Sequence, residues 1–461
     1  MKKIRYLSPP QFRLENTTVW SFRQRGSWAT HSGEYRGNYS PNIPRNIILR
    51  YSRPADLVLD MFCGAGTTAI EAKLLGRRCI AYDINEKAVE LARENLSFQM
   101  NPLVFPGDSI KQYFEPELEV RDARDLSALK NNSIDLICTH PPYANIIQYT
   151  NNKLADLSFL DIEDFLEEMR KVAAESLRVL KPGRQCALLI GDTRRKKHII
   201  PLGFRLIDVF LEAGFSLREL IIKRQHNCKT TGFWYDKSIK HNFLLLAHEY
   251  LPVFEKPLAG GKQPKIYEEN VRFRFSQTKI HQERSIMPLE TTTVWVFPAE
   301  QKEKYLSHNL IQRYSPNDHY LKFKASWGSK CKESKDHSIV KNKYKLIWIN
   351  SSFLVEDMGS VVRDYLKELK DLVCRFINVL KVDGFIAIEA QDIRLGNKLI
   401  PVAKLIVDEL KNEGLWLKEI IVVTGENNSN PMKSKESEDN KVSEYLKISH
   451  GYILIYEKRA L

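Results

Sequence analysis

Residues 15–22 of this chain read Glu-Asn-Thr-Thr-Val-Trp-Ser-Phe, and residues 290–297 read Glu-Thr-Thr-Thr-Val-Trp-Val-Phe. Tyr39-Ser40-Pro41-Asn42 returns as Tyr314-Ser315-Pro316-Asn317, at the same offset of 275. Further along, the offset is 200. Val179-Leu180-Lys181 matches Val379-Leu380-Lys381, Asp192 and Arg194 match Asp392 and Arg394, Ile200-Pro201 matches Ile400-Pro401, and Gly214 matches Gly414. The apolar run at 242–246 has its counterpart at 451–455. An ordered series of this kind means one supersecondary plan built twice. The change of offset from 275 to 200 means that the second copy lacks about 75 residues from its middle. A Gly/Pro/Lys stretch at 258–265 separates the copies. The expected organisation is therefore a first domain over 1–256, a linker over 257–268 and a degenerate repeat over 269–461. A polar tract at 425–439 is expected to be a mobile loop.

Within the first copy, residues 57–60 (Leu-Val-Leu-Asp) form a short apolar run that breaks at Gly64-Ala65-Gly66. Residues 67–75 follow with Ala69, Ile70, Ala72, Leu74 and Leu75 at helical spacing, and Gly76 ends that helix. A strand is expected over 79–83, a helix over 86–98, a strand over 134–138 and an amphipathic helix over 161–179. A strand over 186–190, a helix over 202–213 and a strand over 217–223 complete the series. Strands alternating with helices of this length predict an α/β fold, a doubly wound Rossmann-like sheet followed by a truncated, degenerate α/β copy. Ligands of such sheets sit beyond the carboxyl ends of the strands, where Asp60, Asp83 and His140 fall.

Gly64 and Gly66 permit a sharp strand-to-helix turn and a close approach of backbone to ligand. Gly-x-Gly by itself is most often a structural turn. Asp83, seventeen residues after Gly66 and at the end of the next strand, adds a carboxylate able to accept from both hydroxyls of a ribose. A pyrophosphate site wants a third glycine, where this chain has Ala69. Asp60, in turn, repels a pyrophosphate but can pair with an ammonium.

The second chemical segment is 136–143, Leu-Ile-Cys-Thr-His-Pro-Pro-Tyr. Its counterpart at 346–353 is Leu-Ile-Trp-Ile-Asn-Ser-Ser-Phe, so the second copy keeps scaffold and loses chemistry. Pro-Pro is a common turn and a lone histidine is usually structural. Placed after a strand and downstream of the Gly loop, the segment reads as catalytic.

Taken together, Asp60-x-Phe62-x-Gly64-x-Gly66-Thr67-Thr68 and His140-Pro141-Pro142-Tyr143 resemble the two signature loops of the S-adenosylmethionine-dependent DNA amino-methyltransferases (the N4-cytosine and N6-adenine methylases). The resemblance implies S-adenosylmethionine as cofactor, held by Asp60, Phe62, Gly64, Gly66, Thr67 and Asp83, with Asp122 beside the adenine ring. It implies that residues 25–45, including 30–33 and 40–44, hold the methionine carboxylate, and that 224–235 lies beside a flipped base. It assigns catalysis to His140, Pro141, Pro142 and Tyr143, with histidine where the family usually carries Asp, Asn or Ser. An exocyclic amine is a poor nucleophile because its lone pair is delocalised into the ring. Accepting both its hydrogens, one by the His140 side chain and one by the rigid Pro141 carbonyl, favours a pyramidal nitrogen. Tyr143 can stack on the flipped base.

Cytosine N4 is the preferred target, since Thr-His-Pro-Pro-Tyr lies closer to the Thr-Ser-Pro-Pro-Tyr form than to Asp-Pro-Pro-Tyr. Adenine N6, an RNA base and an inactive DNA-binding role are the alternatives. The implied partners are double-stranded DNA and a cognate restriction endonuclease acting on the same site. The expected form is a monomer with an internal pseudo-dimer, whose second copy grips DNA and helps read the site.

Composition agrees with these expectations. The 461 residues carry a net charge of +13, which suits a polyanionic partner. Arg194-Arg195-Lys196-Lys197 and a stretch at 322–345 with eight lysines concentrate that charge. No apolar run is long enough to span a membrane, and the first residues lack the apolar core of a secretory signal, so a cytoplasmic protein is expected. Seven scattered cysteines, without zinc spacing, read as reduced thiols, and no metal site is expected.

Overall fold

The computed structural model describes residues 4–100, 112–144, 148–150, 155–226, 231–258, 273–278, 289–317, 319–327, 343–351, 362–411, 413–425 and 444–459. Residues 259–268 of the expected linker, the polar tract beyond Gly425, residues 328–342 of the lysine-rich stretch and the 352–353 end of the second catalytic-loop counterpart lie outside the described residues.

The first half opens with β1 (Val19–Ser21) and α1 (Asn42–Tyr51), then runs through β2 (Leu57–Asp60), α2 (Thr67–Leu74), β3 (Arg78–Asp83), α3 (Glu86–Leu96) and β4 (Glu117–Val120). It continues with β5 (Ile134–Thr139), α4 (Ile162–Val179), β6 (Leu180–Leu188), the hairpin β7 (Thr193–Arg195) and β8 (His198–Ile200), and α5 (Leu202–Glu212). β9 (Ser216–Arg224), α6 (Thr231–Lys240) and β10 (His248–Glu255) close it. Local chemistry sets the helix starts. The Asn85 side chain accepts from Lys87 N ahead of α3, and Asp161 accepts from the amides of Glu163 and Asp164, whose own carboxylates favour the positive end of α4. The eight strands pair in the order β1-β9-β10-β6-β5-β2-β3-β4, all parallel except β10. β5 is buried at every position, as a central strand covered on both faces must be.

The second half contains β11 (Phe273–Thr278), β12 (Val294–Phe297), α7 (Lys302–Tyr314), β13 (Tyr320–Trp327), β14 (Tyr344–Asn350) and α8 (Val362–Phe376). β15 (Leu380–Ala390), β16 (Ile393–Leu395), β17 (Lys398–Ile400), α9 (Val402–Glu409), β18 (Leu415–Gly425) and β19 (His450–Lys458) follow. Its sheet, β12-β18-β19-β15-β14-β13-β11, repeats the first as far as the equivalent of β2. There β11 pairs antiparallel where β3 pairs parallel in the first half. Helices α2 and α3 and strands β3 and β4 have no counterpart among the described residues.

Strand register places the missing residues. Val58 pairs with Leu136 as Tyr320 pairs with Leu346, and Leu136 opposes Gln185 as Leu346 opposes Phe385. The offset is thus 262 at β2, 210 at β5 and 200 at β6. In the helices it is 263: Asn46 Oδ1 accepts from Glu15 N as Asn309 Oδ1 accepts from Glu290 N, and Arg50 and Arg313 donate to the same two residues' carbonyls. Tyr51 and Tyr314 each end their helix, so the Tyr39-Ser40-Pro41-Asn42 match to 314–317 is coincidental. Because β10 and β19 begin at His248 and His450, the counterpart of 451–455 is 249–253, not 242–246. One cut therefore falls between the first strand and the helix, and the largest falls between the β2 and β5 equivalents.

The halves pack face to face through contacts that come in pairs, as an isologous interface demands. Thr18 Oγ1 meets His450 Nδ1 at 2.8 Å, and Thr293 Oγ1 meets His248 Nδ1 at 2.9 Å. Each histidine then meets the hydroxyl of the tyrosine two residues on, Tyr452 or Tyr250. Arg194 pairs with Glu419 across the interface, and Arg394 pairs with Glu219. One buried apolar cluster runs through both halves. Arg194 is consequently an interface residue; of the basic run, Arg195, Lys196 and Lys197 are exposed. Lys322 is buried as well, paired with Glu303. No helix among the described residues is long and apolar enough to cross a membrane.

Candidate active site

The loop after β2 turns tightly because Gly64 (φ +49°) and Gly66 (φ +83°) adopt left-handed backbone. A Cβ on Gly64 would lie 3.0 Å from the Tyr35 ring, so the small residue also keeps a slot open. Gly64 N donates to Asp83 Oδ2 at 2.8 Å, and Asn85 N donates to Oδ1 at 2.9 Å. The Ile84 amide also bonds that carboxylate, which keeps acceptor capacity for a ligand hydroxyl. Burial raises the Asp83 carboxyl.

Phe62, Gly64, Asp83 and Asp122 line one cavity together with His140 and Pro142. Both Asp122 oxygens are held by the Arg124 guanidinium, at 2.9 and 2.6 Å. Asp60, Gly66 and Thr67 stand behind the cavity wall. Asp60 Oδ1 accepts from Thr139 Oγ1 at 2.6 Å and from Phe62 N at 3.2 Å, which ties the β2 loop to the end of β5. Burial pushes its carboxyl up to about 6. Thr67 donates to Asn38.

The segment ahead of α1 reaches the cavity through Tyr35, Gly37, Asn38 and Tyr39. The stretches 30–33 and 40–44 lie outside the lining. Instead Trp28, His31 and Arg45 bind the buried Glu71 of α2, at 2.6, 2.7 and 2.9 Å. The lining residues 35–39 fall within the stretch that the second half has lost. Apolar Phe62, Ile84, Ala123 and Leu157 suit an adenine, and Asp83 suits a ribose. The lining fits S-adenosylmethionine.

β5 ends at Thr139, and His140-Pro141-Pro142-Tyr143 turns away from it; Pro141 is buried. His140 Nε2 lies 2.8 Å from Tyr143 Oη, which donates to Glu249 Oε1 at 2.8 Å. Lys223 Nζ donates to Glu249 Oε2 at 2.7 Å. Burial favours the neutral form of Glu249, but Lys223 and His140 outweigh it and hold the carboxyl below its usual range. Burial, then the neighbouring Glu249, keeps Tyr143 a phenol. Burial lowers His140 to about 4, against the pull of Glu249.

Sequence reading missed Glu249 and Lys223, because they sit on β10 and β9, far along the chain from the loop they serve. The second half supplies a signal that was available. Lys223 opposes Glu249 in β9–β10 as Val423 opposes Gly451 in β18–β19. The same sheet folds without these charges, and His140 has Asn350 at its equivalent position. Residues kept in both halves (Thr18/Thr293, Arg194/Arg394, Glu219/Glu419, His248/His450) build the interface. Residues peculiar to the first half build the site.

Beyond the Tyr143 ring lies a second cavity of about 780 Å³, at the carboxyl ends of β6 and β9. Gly191 makes room for that ring, since a Cβ there would lie 2.9 Å from it. Lys196, Lys197 and Lys237 line the cavity with Trp234, which is 44% exposed and has Lys237 Nζ 4.7 Å from its ring centre. Trp234 comes from the predicted flipped-base segment. That segment runs into the first turns of the helix α6; residues 227–230 lie outside the described residues.

The chain matches the DNA methylase family over residues 2–94 and 134–345, and it belongs to that family. Residues 55–179 also match the RNA cap guanine-N2 methyltransferase family. A type II methyltransferase, M.MthZI of Methanothermobacter thermautotrophicus, is 32% identical over 32% of this chain and 46% of its own length. A tRNA (guanine(10)-N2)-dimethyltransferase of the same species is 37% identical over 42% of this chain and 48% of its own. The chain thus spans about half the length of these relatives. A SAM-dependent methyltransferase structure from Methanosarcina mazei aligns with 46% of this chain and 97% of its own at 18% identity, with a TM-score of 0.32.

Proposed function

We propose that this chain transfers a methyl group to the exocyclic amine of a base flipped out of duplex DNA, with cytosine N4 preferred over adenine N6. The observation that carries the reading is the half-buried relay Lys223–Glu249–Tyr143–His140, present in the half that has the Gly loop and replaced in the half that lacks it. Asp83 and the Gly64 loop would hold S-adenosylmethionine, which would supply an electrophilic methyl group. Glu249, charged beside Lys223, takes the Tyr143 hydroxyl proton in a hydrogen bond. The Tyr143 oxygen then accepts from His140 Nε2–H, which leaves the lone pair on Nδ1. Neutral His140 accepts one amine hydrogen through Nδ1, and the Pro141 carbonyl accepts the other. His140 is also positioned to take the proton that the amine releases.

The basic, aromatic-lined cavity beyond Tyr143 supports a flipped nucleotide as occupant, its base near Tyr143 and its phosphates near Lys196, Lys197 and Lys237. Type II relatives support a restriction endonuclease of the same specificity as functional partner. The preference for cytosine N4 rests on the Thr139-His140-Pro141-Pro142-Tyr143 form. A second reading, guanine N2 of an RNA, is favoured by the tRNA-modifying relative and the RNA cap family match. The test is labelled S-adenosylmethionine with duplex DNA and with tRNA, followed by digestion to nucleosides. Label in N4-methylcytosine supports the proposal, label in N6-methyladenine corrects the base, and label in guanine of tRNA alone overturns it.

A further inference from the structure

The wall of the Tyr143 cavity formed by residues 243–246 precedes β10 and belongs to no strand of its own half's sheet. Buried backbone groups there need partners from elsewhere. Phe243 N donates locally, to the Ser238 carbonyl at 3.0 Å. The amides of Leu244, Leu245 and Ala247 instead find acceptors in the second half, while the Ala247 carbonyl accepts from Gln225 N of its own half at 2.8 Å. Leu244 N donates to Glu419 Oε1 at 3.0 Å, Leu245 N donates to the Thr291 carbonyl at 2.9 Å, and the Leu245 carbonyl accepts from Thr293 N at 2.9 Å. Ala247 N donates to Thr293 Oγ1 at 3.0 Å.

Arg194, also in the lining, donates to the Leu244 carbonyl at 3.0 Å and to Glu419 Oε2 at 2.5 Å. One fully buried carboxylate of the second half therefore joins two parts of a cavity wall in the first. Across the interface, Glu219 does the same for Leu446 N and Arg394, on the side where the second half carries Gly451 and Val423 in place of the relay charges.

Resting on the reading of the Tyr143 cavity as the target site, we propose that Glu419 is a positioning residue for the flipped nucleotide: the half that lost the chemistry holds the wall against which the target is placed. Glu419 touches neither cofactor nor reacting atoms and acts through Leu244 and Arg194.

The interface supplies its own control, because Glu219→Ala removes the matching contacts on the other side. In the full-length chain, both Glu419→Ala and Glu219→Ala lower the unfolding temperature. Glu419→Ala is expected to strip hydrogen-exchange protection from residues 244–247, raise KM for duplex DNA about tenfold and leave S-adenosylmethionine affinity within about twofold. Glu219→Ala leaves both the protection at 244–247 and KM near wild type. Glu419→Gln, which keeps an acceptor for Leu244 N, recovers part of the loss and carries the same comparison where the alanine variant does not fold. Wild-type protection at 244–247 in the Glu419 variants, or an equal rise in KM in the Glu219 variant, overturns the proposal. Failure of the wild-type chain to methylate DNA brings down the functional reading instead, and the exchange comparison still decides whether Glu419 holds the wall.

Discussion

Asp60 and Lys322 occupy the same register position in equivalent strands, β2 and β13, and carry opposite charges. Asp60 ties the Gly loop to Thr139. Lys322 lies with its Nζ 3.6 Å from the centre of the Trp348 ring and pairs with Glu303, and Trp348 stands where the first half has Cys138. An ammonium over an indole thus stands at the register position where the first half carries the Asp60 carboxylate at the start of its Gly loop.

One cofactor per chain follows from that inversion. Calorimetric titration with S-adenosylmethionine is predicted to give a stoichiometry of one, and a value of two would contradict the account. Lys322→Ala leaves cofactor binding and transfer near wild type and costs about 1–2 kcal/mol of stability, read from denaturant midpoints.

Cofactor holding and methyl transfer are separable. Asp83→Ala is expected to weaken S-adenosylmethionine binding by about tenfold or more, from the lost charge-assisted hydrogen bonds. His140→Ala leaves that affinity within about twofold and lowers the transfer rate by roughly a hundredfold or more. Equal losses of binding in both variants, measured by titration beside single-turnover kinetics, would deny the division of labour.

The relay charges answer to activity, not to folding. Glu249→Gln is expected to cut transfer by roughly ten- to a hundredfold with cofactor affinity intact. Lys223→Met alone leaves a buried carboxylate uncompensated and costs about 3 kcal/mol, whereas Lys223→Met with Glu249→Gln costs less than the single change. Chemical denaturation of the three variants checks the sign of that difference. A double variant less stable than Lys223→Met makes the pair structural.

Burial places the acid limb of the pH profile. A free histidine titrates near 6.5, but His140 is held at about 4. In the proposed mechanism its neutral form is the acceptor, and a depressed pKa keeps that form present down to about 4. Single-turnover transfer is therefore predicted to stay level from pH 8 to pH 5 and to fall through about 4. A limb near 6.5 that vanishes in His140→Asn would show the histidine to be solvated during the reaction.

Much of the site's position was legible because it depends on local chemistry. The apolar runs ending at Asp60, Asp83 and Thr139 are strands whose carboxyl ends meet at one edge of the sheet, and the Gly64 turn and the Pro141-Pro142 turn are set by their own residues. Glu249 and Lys223 were not legible in that way. Their role comes from β9 and β10 pairing beside β6, a non-local fact that no spacing in the chain records. Tyr39-Ser40-Pro41-Asn42 misled for the opposite reason: the letters recur at 314–317, but helix packing makes Tyr51 and Tyr314 the equivalent pair. Arg194, read as part of a basic patch, is turned inward because Glu419 waits for it across the interface. The duplication itself was readable from the matches at offset 200, where both halves keep the same strands and hairpin.

The most direct measurement is nucleoside analysis of DNA and tRNA from cells expressing the wild-type chain or His140→Ala. The account predicts an N4-methylated cytosine, at one sequence context, in DNA from the wild type and not from the variant. DNA free of any methylated amine in both strains, with a new N2-methylguanine in tRNA of the wild type, would contradict it.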